Sequence, residues 1–277
     1  MLLNLPLSRS KLDRAAHLRS DSASLDELFS RAKIISMVAD RFECSKSGLT
    51  FIPPELAKGE RYFLGLSSSG EPYFVVHQVS DQKEFGENFQ SLRTLGAHLS
   101  DLEIGAAVHS LALSQWHQSH MRCSKCGENT KSILGGSVRK CLVCSAEHHP
   151  RTDPAIIVLV KDSKDRILLG RQKVWPEKRF STFAGFVEPG ESFESCVIRE
   201  VAEECGGIVT EMKYLGSQVA DGQEIEEIVW LTREELKSKC ESGELLLPPI
   251  ISVARAMINA WYGPAAESEL SGQSWRN

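Results

Sequence analysis

At 277 residues the chain is long enough to bury two modest cores. Its 42% hydrophobic and 25% charged residues match a globular protein and exclude a disordered or fibrous one. A net charge of −5 argues against a broad basic surface wrapped on nucleic acid, yet leaves room for a nucleotide ligand, which needs only a few local cations.

The opening MLLNLPLSRSKLDRAAHLRS lacks the apolar h-region of a secretory signal, and the closing SWRN lacks a peroxisomal address. No apolar run reaches membrane-spanning length, so a cytoplasmic protein with no membrane partner is expected. Residues 1–118 read as an N-terminal domain of mixed structure in which nothing catalytic stands out. Within it RYFLGLSSSGEPYFVVHQV predicts a hairpin, two apolar-aromatic runs around a Ser-rich turn. SDLEIGAAVHSLALSQWHQSH predicts a helix: Ser100 and Glu103 have capping-box spacing, and Ile104, Val108, Leu111 and Leu113 form an apolar stripe.

Residues 119–150 hold CSKCG and CLVCS, a C-x2-C-x14-C-x2-C pattern made by Cys123, Cys126, Cys141 and Cys144. Two thiolates two residues apart turn onto one metal, and a second such turn completes a four-sulfur tetrahedron. The pattern predicts one structural Zn2+ per chain in a zinc ribbon, with no open position for substrate. The flanking His117, His120, His148 and His149 are read as surface or substrate-side residues, because four sulfurs already suffice. The remaining four of the eight cysteines are scattered, which indicates a reducing compartment rather than a disulfide framework.

After the cysteines HHPRTDP, residues 148–154, makes a rigid turn, and AIIVLVKDSKDRILLGRQ reads as two strands around a polar turn. Then comes GFVEPGESFESCVIREVAEECGG, residues 185–207, with six glutamates and one arginine. A helix over 192–205 puts Glu200, Glu203 and Glu204 on one face at i, i+3 and i+4, while Val197, Val201 and Cys205 suit a core on another. Three clustered carboxylates destabilise a helix unless cations lie between them, and hard divalent ions such as Mg2+ or Mn2+ serve that role and also bind phosphate oxygens. Arg199 is placed to pair with Glu191, and Gly185 and Gly190 let the backbone approach a ligand. LTREEL opens another helix at Thr232 with Glu235 at capping-box spacing. SVARAMINAWYG makes a short one after Pro248 and Pro249, and residues 266–277 read as a polar, frayed tail.

The segment from Gly185 resembles the Nudix box, GX5EX7REUXEEXGU with U apolar, and departs from it at Gly207. Together with the preceding four-cysteine ribbon, ALSQWHQSHMRCSKCG, HHPRTDPAIIVLV and LPPIISVARAMI, it resembles the NADH pyrophosphatase branch of that family. The resemblance implies an α+β chain: a mixed N-terminal domain, the ribbon, and a Nudix α/β/α sandwich over 151–265. It implies metal-dependent hydrolysis of the pyrophosphate of NADH or NAD to NMN(H) and AMP, removal of NAD caps from RNA 5′ ends, and a homodimer. It implies Mg2+ or Mn2+ ligands at Glu200, Glu204, Glu203 (a further ligand or base), the Ala184 carbonyl and Glu224. It also implies substrate contacts at Gln218, His149 (where the branch has a stacking tyrosine) and Ala254.

The branch continues after its box with SQPWPFPxS and an apolar strand. Here only YLGSQ remains, and four residues separate Gln218 from Gln223, too few for a strand and a turn. A shortened sandwich after Gln218 is expected to expose unpaired backbone and core. Three readings stay open: a shortened NADH pyrophosphatase, a Nudix hydrolase with a less selective pocket, and a zinc-ribbon binding protein carrying an inactive Nudix domain.

Overall fold

The hairpin expected around the Ser-rich turn is built into a larger sheet. In the computed structural model, which describes residues 2, 5–78, 88–96, 98–218 and 227–270, one compact unit comprises 9–152 and a second joins 1–8 to 153–277. The first unit runs α1 (Ser22–Phe29), β1 (Lys33–Val38), β2 (Arg41–Ser45), β3 (Gly48–Leu49), β4 (Phe51–Ile52), β5 (Glu60–Leu66), β6 (Pro72–Gln78), β7 (Phe89–Ser91), α2 (Leu92–Leu95) and α3 (Asp101–Ser119). The hairpin is β5–β6, antiparallel and irregular between Phe63 and Gly65. β6 also pairs with β1 in parallel, Ile35 opposite Val75, within the order β3-β2-β1-β6-β5. Alternation along these strands sends Ile34, Phe63, Phe74 and Val76 to one face, where Leu25 and Ala32 close the core. The capping box of α3 forms: Ser100 Oγ accepts from the Glu103 N–H at 3.3 Å, and Glu103 Oε2 accepts from the Ser100 N–H at 3.0 Å.

The cysteine segment folds as three antiparallel strands, β8 (Thr130–Ile133), β9 (Val138–Cys141) and β10 (Glu147–His148), in the order β10-β9-β8. It belongs to the same unit, joined there through a buried polar knot. Arg139 donates to Thr130 Oγ1 at 2.7 Å, to the Thr130 carbonyl at 3.0 Å and to His117 Nδ1 at 2.8 Å. His117 Nε2 then donates to the Gly136 carbonyl at 2.8 Å, and its ring stacks on Tyr62 with centroids 4.0 Å apart. This corrects the surface reading of His117, which is 2% exposed. Helical period alone does not reveal that a turn of the ribbon lies against this end of α3.

The second unit runs β11 (Ala155–Val158), β12 (Val160–Lys161), β13 (Ile167–Arg171), β14 (Phe183–Phe186), α4 (Phe193–Cys205), β15 (Glu227–Leu231), α5 (Arg233–Glu241), α6 (Val253–Tyr262) and α7 (Ala266–Glu269). AIIVLVKDSKDRILLGRQ, expected as one hairpin, is divided at Leu159 between two sheets. β11 pairs with β14, Ile156 opposite Gly185, whereas β12 and β13 form the hairpin and β13 carries β15. Leu159 packs against both apolar clusters of the unit. The larger cluster gathers Ile167, Leu169, Leu231, Leu236, Ile258 and Trp261. Ala266 and Leu270 join it, so the chain is packed through Leu270, beyond the point where the polar composition sets in.

Residues 207–218 contain no strand. The opening in the sheet is expected after Gln218, where residues 219–226 lie outside the described residues; among the described ones Leu5, 5% exposed, packs with Val253 and Met257 beside Ile157.

Candidate active site and metal cluster

The strand–loop–helix from Phe183 to Cys205 places the glutamates. Ser192 caps α4, its Oγ accepting from the Ser195 N–H at 3.1 Å. At the other end Gly206 takes the left-handed conformation, φ 66°, and its N–H and that of Gly207 return to the carbonyls of Ala202 and Val201 at 3.0 and 3.2 Å. Cys196 and Val201 are the buried residues of the helix, at 0% and 2% exposure, while Val197 and Cys205 are only half-buried. The core-facing stripe is therefore turned slightly from the one read off the sequence.

Helix and strand meet at Gly185. A Cβ there would fall 1.9 Å from Glu200 Oε1 and 2.0 Å from its Cδ, so the carboxylate lies flat on bare backbone. Arg199 organises the remaining charges. Its guanidinium grips Glu191 with two bonds, Nε to Oε1 at 2.8 Å and Nη2 to Oε2 at 2.9 Å. Nη1 donates to Glu200 Oε1 at 2.7 Å and to Glu203 Oε2 at 3.0 Å, and Nη2 also reaches the Phe186 carbonyl at 3.0 Å. One cation thus meets three carboxylates and offsets the repulsion that their spacing creates. Arg199, followed by the Glu188 N–H, holds the Glu191 carboxyl down to about 2. Burial pushes the Cys196 thiol up to about 11, which makes it a packing group.

The three helix glutamates are not equivalent. The Glu200 side chain is 13% exposed and seated, the Glu203 side chain is 61% exposed, and Glu204 is half-buried. The all-oxygen donor set of these carboxylates, with the Ala184 carbonyl on the neighbouring strand, suits a hard divalent cation. Glu224 lies outside the described residues.

The four cysteines are brought together. Their sulfurs lie within 4.8 Å of one another, with Cys126 3.5 Å from Cys141 and 3.4 Å from Cys144, and Cys123 3.6 Å from Cys144. A tetrahedral Zn–S shell has sulfurs about 3.8 Å apart, so the cluster has the size for zinc. The Val143 N–H is the chief group holding the Cys141 thiol down to about 6, aided by the Cys144 N–H. Among the described residues this is the sole group of three or more metal-ligating side chains that compact.

Of the substrate positions, Gln218 ends the strandless segment and Ala254 lies in the first turn of α6, 7% exposed. His149 follows β10 in the 9–152 unit and is exposed. Three contacts were not legible in the spacing: the Phe186 carbonyl under Arg199, Cys196 against the Phe186 carbonyl at 3.4 Å, and His148 Nε2 at 3.3 Å from Cys123 Sγ. The first two depend on a backbone carbonyl, which leaves no mark in sequence. The third could have been sought in the His-His pair just beyond the last cysteine.

The NUDIX domain profile matches residues 151–221. The chain is 34% identical to the NAD-capped RNA hydrolase NudC of Mycobacterium tuberculosis, over 92% of this chain and 94% of that protein. It is 30% identical to the mitochondrial NAD(P)H pyrophosphatase NUDT13 of Mus musculus, over 75% of this chain and 69% of that protein. It is 32% identical to the NAD-capped RNA hydrolase NUDT12 of Macaca fascicularis, over 59% of this chain and 42% of that one.

Proposed function

Because this chain belongs to the Nudix hydrolase family, we propose that it hydrolyses the pyrophosphate bond of NAD(H) to NMN(H) and AMP, and removes NAD caps from RNA 5′ ends. The observation that carries the reading is the glutamate helix, with Glu200 laid on Gly185 and locked by Arg199. Glu200, Glu203, Glu204, Glu224 and the Ala184 carbonyl are the groups that would hold Mg2+ or Mn2+. Such an ion, when bound, polarises the phosphoryl oxygens and acidifies a water for attack on phosphorus.

The chain's own residues fix the geometry of that step. Arg199 keeps Glu191 ionised, and its guanidinium orients both Glu191 and Glu200. Gly185 gives the carboxylate a flat seat at the strand, where the Ala184 carbonyl is adjacent. Glu203, the most exposed of the three, faces solvent beside Arg199 and is the group that takes a proton from the attacking water. Water adds across the P–O–P bridge, the bridging oxygen leaves with one phosphate, and two phosphomonoesters result. Gln218, His149 and Ala254 contact the dinucleotide. Residues 119–150 form a closed ribbon around one Zn2+, ahead of the catalytic domain at 151–265, and the protein works as a cytoplasmic homodimer.

Release of AMP from NADH with Mn2+ or Mg2+ tests this, comparing the chain with Glu204→Gln. Loss of the release in the variant supports it, and an equal background in both overturns it.

A second reading is favoured by the strandless stretch 207–218: a hydrolase with relaxed selectivity, or a ribbon that binds while the Nudix domain is inactive. Product analysis across NADH, NAD, ADP-ribose and NAD-capped RNA separates these. Similar rates on all four indicate relaxed selectivity, and no release from any indicates the binding protein.

A further inference from the structure

A thiolate that binds a metal carries no proton and can only accept hydrogen bonds, so a buried one needs N–H donors in place of water. Cys123 and Cys141 are the buried pair of the cluster, 3% and 2% exposed, whereas Cys126 and Cys144 reach the surface. The two buried sulfurs are served differently. Cys141 Sγ accepts from two backbone N–H groups of its own knuckle, those of Val143 and Cys144, both at 3.4 Å. Cys123 Sγ accepts from the Lys125 N–H of its knuckle, also at 3.4 Å. Its next polar neighbour is a side chain, His148 Nε2 at 3.3 Å.

His148 comes from outside both knuckles. It ends β10, and the antiparallel pairing of β10 with β9 sets Glu147 opposite Lys140 and His148 opposite Arg139. Lys140 Nζ lies 3.8 Å from Glu147 Oε1 and adds to that pairing. The strand thereby returns the imidazole to the first knuckle, where Ser124 Oγ lies 3.5 Å from Nδ1 on the opposite edge of the ring. The ring is half-buried. Nε2 is not a fifth ligand atom: the group whose ligand atoms all lie within 4.8 Å of one another holds the four sulfurs and not His148. Four sulfurs also complete the tetrahedron. A ring nitrogen beside one thiolate, and outside the ligand group, stabilises that thiolate by carrying the proton and donating it.

We propose that His148 holds the metal without touching it. Its Nε2–H donates to the Cys123 thiolate and gives the first knuckle the second donor that the Cys144 N–H gives the other. The bond spreads the charge of a sulfur that water does not reach, and it ties β10 to the first knuckle. Loss of such a supporting hydrogen bond weakens metal binding by about 10- to 100-fold. The inference rests on the reading of the four-cysteine cluster as a zinc site.

Competition with a chromogenic chelator tests it on the full chain, on His148→Ala and on His148→Gln, whose amide N–H can take the place of Nε2–H. His148→Ala should bind zinc about 10-fold more weakly or worse, and His148→Gln should recover most of the loss. In the cobalt-loaded chains the sulfur-to-metal charge-transfer band should move to lower energy in His148→Ala, because the sulfur lone pair has lost a donor. A general loss of packing would not give that shift together with rescue by glutamine. Equal zinc affinity and an unmoved band in His148→Ala overturn the proposal. Proton–cadmium correlation by NMR on the unaltered, cadmium-loaded chain decides the matter if neither variant folds. An imidazole N–H coupled to the metal through the Cys123 sulfur supports the proposal. Absence of that coupling, or an Nε2 that has lost its proton to direct metal bonding, overturns it. Metal content of the unaltered chain is read first. A folded chain that binds no zinc removes the zinc reading itself, whereas bound zinc with an indifferent His148→Ala removes only the role of His148.

Discussion

Gly185 and Arg199 show how much of the site depends on single side chains being present or absent. The sequence reading assigns Gly185 to close approach of a ligand. In the folded chain the first group to approach is the protein's own Glu200, at a distance no Cβ tolerates. Gly185→Ala should therefore push the Glu200 carboxylate off the strand and out of reach of Arg199. The expected result is a fall in kcat of about 100-fold, with circular dichroism and Tm near those of the unaltered chain, because displacement of a reacting group by about 1 Å costs that much. Unchanged kcat would remove Glu200 from its proposed role. The pairing of Arg199 with Glu191 was legible because Glu191 stands just ahead of the helix N-cap and Arg199 is inside the helix on a side chain long enough to reach back. Its further bonds to Glu200, Glu203 and the Phe186 carbonyl were not, since they follow from how the loop closes on the strand.

At the scale of elements, locally encoded features read well. The capping boxes at Ser100 and Thr232 form as spaced, because each involves residues three apart and no distant partner. The two C-x-x-C turns likewise converge, since each knuckle is set by its own backbone N–H groups and the fourteen intervening residues only close a small sheet. One zinc per chain is expected by native mass spectrometry. Its removal by chelation, or Cys141→Ser, should lower Tm of the 9–152 unit by on the order of 10 °C, because metal-binding energy is folding energy in such sites. A metal-free chain that melts at the same temperature would contradict this. The strand run at 155–171 reads less well. Apolar residues continue through Leu159, and periodicity cannot show that the chain changes sheets there.

For the molecule as a whole, the buried knot at His117 makes stability depend on pH. Burial pushes His117 from its ordinary 6.5 down to about 4, with Arg139 adding to the shift and the Gly136 carbonyl and Glu60 opposing it. The unfolded chain takes up a proton near pH 6.5 that the folded unit refuses until about 4. The 9–152 unit is thus fully stable in this respect above pH 6.5, and loses on the order of 3 kcal/mol as pH falls through the window to 4. Denaturant midpoints of the full chain and of His117→Gln across pH 4 to 7 check it, and the variant should show a flatter slope. An equal slope would place the titration elsewhere. Sequence by itself determined the chemistry of this protein: four thiolates spaced for one metal, a helix face of carboxylates with its arginine, and the family to which that pattern belongs. These are properties of residue type and short spacing, and local backbone geometry carries them into three dimensions. Only the tertiary structure decided which groups meet across long separations. The ribbon is tied to α3 through Arg139 and His117, Glu200 rests on Gly185, and Leu5 packs with Val253 and Met257 beside Ile157, because each contact is fixed by packing between segments whose separation no local pattern encodes.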